Sequence, residues 1–178
     1  MVKKILNILI IQIIILSSLT LIKINHESIK ETAIPSFLII HKQKNKDKLG
    51  KLSIESLKIN ELIYQIGSEE NTVDKHVTIL KESILPDKEK SIVFLAAHSG
   101  TGENSYFENL KNITVNTIVK LTINKKEYKY IVKEIWEDRK DGFININKED
   151  KNQLILTTCS PFNKNKQLIV SCIEKESN

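Results

Sequence analysis

The chain has 178 residues, 40% hydrophobic and 28% charged, with five glycines and three prolines; this fits one globular domain with an appendage and excludes a low-complexity or linker-dominated protein. Its net charge of +5 is confined to one part: residues 1–50 hold eight lysines against Glu27, Glu31 and Asp47, whereas residues 51–178 hold nineteen basic and nineteen acidic side chains. A neutral globular part is not a basic nucleic-acid binder, so no nucleic-acid partner is expected.

Met1-Val2-Lys3-Lys4 leads into Ile5 to Ile22, where only Asn7, Gln12, Ser17, Ser18 and Thr20 interrupt the apolar run. Eighteen residues in a helix span about 27 Å, close to the roughly 30 Å hydrocarbon core of a bilayer. No small-x-small cleavage site stands near its end, so residues 1–24 are expected to be a cytoplasmic tip and an uncleaved transmembrane signal anchor. Lys3 and Lys4 favour a cytoplasmic N-terminus. The expected location is therefore a cell membrane, crossed once, with the remainder of the chain outside. Residues 25–50 read as a stalk, with a short apolar interruption at Phe37-Leu38-Ile39-Ile40 and then the lysine-dense run His41 to Lys48, a solvated spacer.

From Lys51 the period becomes that of strands. KLSIESLKI, ELIYQI, HVTILKES, SIVFLAA, TIVKLTIN, YKYIVKEIW, QLILTTC and QLIVSCIEK follow one another at roughly 8–12 residues, the spacing of a barrel or sandwich. The one clear helical candidate is short, around Ser105 to Leu110, and there is no internal repeat. Residues 51–178 are thus expected to form one mainly β domain.

Two of these strands end in chemistry. Ser91 to Ala97 is an apolar run that delivers His98 into the glycine-containing loop SGTG, and Gln153 to Thr158 delivers Cys159 to a Ser160-Pro161 break. A thiol held at the end of a rigid strand suits a nucleophile, and an imidazole similarly placed suits a general acid and base. Taken alone, Cys159 reads as readily as a small half-buried hydrophobe. If the two strands run the same way in one sheet, their ends meet on one rim. Cys172 is expected in the core: in an antiparallel pair across the intervening loop it lies on the order of 15 Å from Cys159, too far for a disulfide. His26, His41 and His76 read as solvated, and His76 with Asp74 is too sparse for a metal site.

The segment Leu156-Thr157-Thr158-Cys159, preceded in the chain by the strand ending Ala96-Ala97-His98 and by an N-terminal apolar segment, resembles the sortase family over roughly residues 51–173. The resemblance implies an eight-stranded barrel with one or two short helices, in which the histidine and cysteine strands are parallel neighbours. It implies a cysteine transpeptidase; no cofactor and no metal site is read from the residues themselves. Its partners would be secreted proteins carrying a C-terminal sorting signal similar to Leu-Pro-x-Thr-Gly, and an amine acceptor from a cell-wall precursor or a pilin lysine. Cys159 would be the nucleophile and His98 the acid and base. Thr158 would contact the substrate backbone. Sortases carry an arginine at the start of the last strand, where this chain has Gln167; the amide is expected to serve as a neutral oxyanion donor. Arg139, the chain's one arginine, reads as part of a charged surface turn. Two other functions stay open: a non-catalytic binding module on the same barrel, and a hydrolytic cysteine peptidase.

Overall fold

The computed structural model describes residues 47–175; the expected anchor, and the stalk up to residue 46, lie outside the described residues. Among the described residues no helix is long and apolar enough to cross a membrane. Eight strands follow in chain order: β1 (Lys48–Ile54), β2 (Ile59–Tyr64), β3 (Thr78–Ile79), β4 (Ile92–Ala96), β5 (Ile118–Ile123), β6 (Lys126–Arg139), β7 (Gln153–Cys159) and β8 (Lys166–Glu174). They form one sheet in the order β2-β1-β5-β6-β8-β7-β4-β3. A parallel bridge from Ile63 to Val77, just before β3, brings the two edges together, so the sheet is a nearly closed barrel of the expected strand number.

Local chemistry accounts for most of the connections. Asn124 and Lys125 both take positive φ, 49° and 70°, the two-residue turn whose twist matches a hairpin, and β5 pairs with β6 directly across it. Lys51 to Ile59 does not run on as one strand, because a 3-10 turn at Glu55–Leu57, ended by left-handed Lys58, separates β1 from β2. The helical segment expected around Ser105 to Leu110 is a 3-10 turn at Glu108–Asn112. β3 keeps only two residues of HVTILKES.

The barrel interior is filled by alternate residues of each strand: Leu52 and Ile54, Val93 and Leu95, Val119 and Leu121, Leu154 and Leu156, and Leu168, Val170 and Cys172 belong to one buried cluster. Strand alternation puts Ile155, Thr157 and Cys159 of β7, and Gln167 and Ile169 of β8, on the opposite, outer face. Ile155 and Ile169 are nonetheless fully buried. The long β6–β7 loop is strapped across this face by Gln153, which donates to the Asn147 carbonyl and accepts from the Glu149 amide.

β6 carries an extra residue at Lys133, since Val132 opposes Cys172 while Glu134 already opposes Ser171. Such a bulge reverses which side chains face in. Before it the even-numbered Tyr128, Tyr130 and Val132 are buried in the core. After it Ile135 and Glu137 oppose the inward-facing Val170 and Leu168, and Trp136 and Asp138 oppose the outward-facing Ile169 and Gln167.

One glycine is fixed by packing. A Cβ on Gly50 of β1 would lie 1.8 Å from the Thr122 carbonyl oxygen of β5, and that oxygen is backbone inside the sheet. Gly50→Ala is expected to cost on the order of 3 kcal/mol, seen as a lower urea midpoint at unchanged slope. An unchanged midpoint would show that β1 slides freely against β5.

Candidate active site

β4 and β7 are adjacent and parallel, with Ile92 opposite Gln153 and Ala96 opposite Thr157. Two residues further along each strand stand His98 and Cys159. They therefore share a rim and, by strand alternation, the outer face. Three hydrogen bonds fix the rim: Ala97 N donates to the Thr157 carbonyl at 3.3 Å, Thr158 Oγ1 to the Ala97 carbonyl at 2.7 Å, and Ser99 Oγ to the Cys159 carbonyl at 3.0 Å. Thr158, expected to contact substrate, is buried in the wall beside Cys159, and its hydroxyl proton is given to the Ala97 carbonyl.

The loop after His98 is shaped by Gly100, whose φ of +115° an L residue rarely adopts. It returns through Phe107, a fully buried side chain whose amide donates to the His98 carbonyl at 3.0 Å. A cavity of about 300 Å³ opens beside Cys159 between this loop and the β7–β8 turn, with Thr101, Phe107, Lys111 and Ser160 in its wall. The turn is held by Ser160, whose hydroxyl accepts the amides of Phe162 and Asn163 at 3.0 and 3.1 Å and donates to the Glu137 carboxylate.

His98 has a carboxylate partner: Nε2 lies 2.9 Å from Asp74 Oδ1. Asp74 sits in the turn before His76, and Tyr106 ties that turn to the histidine loop by donating to the Lys75 carbonyl. His76 is not a solvated side chain. Its ring centroid is 4.5 Å from that of Tyr64 and 6.1 Å from that of Tyr106, with Nε2 3.3 Å from Glu70. Among the described residues no cluster of His, Cys, Asp and Glu could hold a metal ion.

The thiol's own partner is a residue that sequence reasoning passed over. Lys140 Nζ lies 3.1 Å from Cys159 Sγ, and among the described residues no hydrogen bond joins the thiol to the imidazole. Gln167 is the direct cross-strand neighbour of Cys159. Its amide nitrogen, however, donates to the carbonyls of Arg139 at 3.0 Å and Phe143 at 2.6 Å, and Thr157 Oγ1 reaches its oxygen at 3.5 Å. Lys166 points to the other face, 3.7 Å from Glu137, and Arg139 opposes Lys166. Cys172 is fully buried opposite Leu154, and burial pushes its thiol far above the ordinary cysteine range.

A family model, the Sortase domain, matches residues 52–174. The chain belongs to the sortase family. Among solved structures it is similar to sortase A from Corynebacterium diphtheriae in a lid mutant, at 22% identity and a TM-score of 0.64, covering 73% of this chain and 71% of that one. Clostridium perfringens sortase C with the C-terminal cell wall sorting motif is 27% identical, with a TM-score of 0.62 over 74% of this chain and 72% of that one. Sortase C1 from Streptococcus suis, at 18% identity, has a TM-score of 0.66 and covers 83% and 88%. No curated protein matches the chain. As a sortase, the chain is supported as an enzyme of a transpeptidase family, on the eight-stranded barrel its sequence implied. Lys140 and Asp74 both stand near strand ends or in loops that only the folded sheet brings to the rim, and no motif in the sequence marks them.

Proposed function

We propose that this sortase is a cysteine transpeptidase acting on secreted proteins with a C-terminal sorting signal, transferring them to an amine of the cell wall or of a pilin. The observation that carries the reading is the parallel register of β4 and β7, which sets His98 and Cys159 at one rim and on one face. Cys159 Sγ attacks the carbonyl carbon at the scissile bond, forming a C–S bond while the C=O electron pair moves to oxygen. Collapse breaks the C–N bond, and His98 gives its proton to the departing amine. The thioacyl enzyme is resolved when an acceptor amine attacks, loses a proton to His98 and releases the thiolate. Asp74 orients the ring through Nε2, leaving Nδ1 to exchange the proton. The similarity to Clostridium perfringens sortase C with the C-terminal cell wall sorting motif supports the choice of substrate class.

Residues 1–24 would anchor the enzyme in the membrane and residues 25–46 would hold the barrel off its outer surface, the last residues of the expected stalk, from Lys48, being part of β1. The test is mass spectrometry of the full chain incubated with a library of sorting-signal peptides, with and without an added amine. The expected result is a thioacyl adduct on Cys159 and an amide product that requires the amine. An acid product alone would make the enzyme a hydrolytic peptidase. Absence of any adduct would make the barrel a binding module.

A further inference from the structure

The arginine that sortases carry at the start of the last strand is replaced here by Gln167, and Gln167 cannot supply its charge. It does not offer its hydrogens either, because both are spent on the Arg139 and Phe143 carbonyls. Those two carbonyls flank Lys140. The backbone between them is held at further points: Lys140 N donates to the Asn165 carbonyl at 3.0 Å, Arg139 N to Asp138 Oδ1 at 2.7 Å, and Phe143 N to Asp141 Oδ1 at 3.1 Å. Asp138 Oδ2 accepts from Asn145 at 3.1 Å. Both neighbouring carboxylates are thereby engaged by backbone or amide donors, and among the described residues Lys140 makes no ion pair. Its ammonium is on the thiol instead, at 3.1 Å. The bulge at Lys133 makes this possible, since it turns Asp138, and two residues later Lys140, to the face of Gln167 and Cys159.

We propose that Lys140 is the cationic catalytic residue of this sortase, taking from the end of β6 the part that the family gives to an arginine on β8, and that Gln167 is the positioning residue that brackets it. The proposal deepens the transpeptidase reading and rests on it for the acyl chemistry. In the resting enzyme the ammonium donates an N–H to the sulfur. As the C–S bond forms and the C=O pair moves to oxygen, the ammonium transfers its hydrogen bond to that oxygen, and it returns to the sulfur when the acceptor amine expels the thiolate. Lys140 keeps its protons throughout, and His98 carries the proton between the leaving and attacking amines. A charge-assisted donor is about twice as strong as a neutral one, so a glutamine whose neighbour is a correctly placed lysine loses little by no longer being an arginine.

Two measurements on the full chain test this separately from the transpeptidase reading. The first uses no peptide. Cys159 is alkylated with anionic iodoacetate and neutral iodoacetamide; Lys140→Met should lower the iodoacetate-to-iodoacetamide rate ratio several-fold, Lys140→Arg should preserve it, and Gln167→Ala should lower it less than Lys140→Met. The second is transfer of a captured sorting-signal peptide to an amine. Lys140→Met should lower kcat by about 10²-fold, as for other oxyanion donors, with KM changing less, and Lys140→Arg should recover most of the loss. An unchanged alkylation ratio in Lys140→Met overturns the contact with the thiol, and an unchanged kcat overturns the oxyanion role. A hydroxylamine-resistant acyl adduct on Lys140 also overturns the proposal, because the amine would then be an acceptor. A wild-type chain inert to every peptide overturns the transfer reading and the oxyanion role with it, and the alkylation ratio still decides the contact.

Discussion

Cys159→Ala is expected to abolish thioacyl capture, while Cys172→Ala keeps it and costs about 1 kcal/mol of stability for the lost sulfur contacts. The two thiols differ in everything that sets reactivity. Cys159 is half-buried at a strand end with an ammonium 3.1 Å from its sulfur; Cys172 has no exposure, sits among Leu154, Leu156 and Val132, and is held in its neutral form by burial. The two are also five strand pairs apart in the β7–β8 ladder, so a disulfide cannot join them without unmaking the sheet. Intact-mass measurement after incubation with a sorting-signal peptide library reads the capture, and a urea titration reads the stability. Equal loss of the adduct in both variants would overturn the assignment of the nucleophile.

His98→Ala should lower transfer by about 10³-fold, within the range of general acid–base catalysis, without disturbing the barrel. The backbone that carries the ring is held by the Thr158 and Ser99 hydroxyls on neighbouring carbonyls and by the Phe107 amide on the His98 carbonyl, none of which involves the imidazole. Asp74→Ala should produce a smaller fall in kcat, about 10-fold, with KM little changed and Asp74→Asn recovering part of the loss. The side chains of His98 and Asp74 are 44% and 81% exposed, so solvent screens the pair and its contribution to folding is minor. In the proposed mechanism its use is to choose which ring nitrogen faces the substrate. Steady-state transfer kinetics with a captured peptide decide the matter: a crippled His98→Ala beside a kinetically silent Asp74→Ala would reduce the ion pair to surface decoration.

Much of this site was legible because strands keep a strict period. The apolar runs before His98 and Cys159 required buried strands, and the polar loop from Ser160 to Asn165 required β8 to return antiparallel, which placed Gln167 beside Cys159 and Cys172 in the core. The exceptions arise where the period fails or no period exists. HVTILKES alternates well yet gives only Thr78–Ile79, because Lys81 onward leaves the sheet in a turn that Ser83 pins to Phe94. β1 begins at Lys48, inside a segment whose lysines read as a spacer, since the buried Leu49 and Leu52 are three residues apart, out of strand period, with a register shift at Leu49. Asp74 lies in a loop, where no periodicity points to a partner. Lys140 was hidden for a subtler reason: simple alternation along β6 from Tyr128 assigns it to the interior, and only the bulge at Lys133 reverses that.

The same bulge bears on how much the gene for this protein can change. In a ladder without the extra residue, Glu137 rather than Asp138 would oppose Gln167, and Arg139 would occupy the place two residues on that Lys140 now holds. The charged run Glu137-Asp138-Arg139-Lys140 therefore offers an acid followed two positions later by a cation in either frame. A one-residue slip, which in an ordinary strand exchanges every inward side chain for an outward one, here exchanges a lysine at the thiol for an arginine. Loss of Lys133 would dissolve the bulge and leave Lys140 where it is, whereas one added residue in β6 beyond the bulge would bring Arg139 to the thiol, so either change keeps a cation at the position proposed to need one.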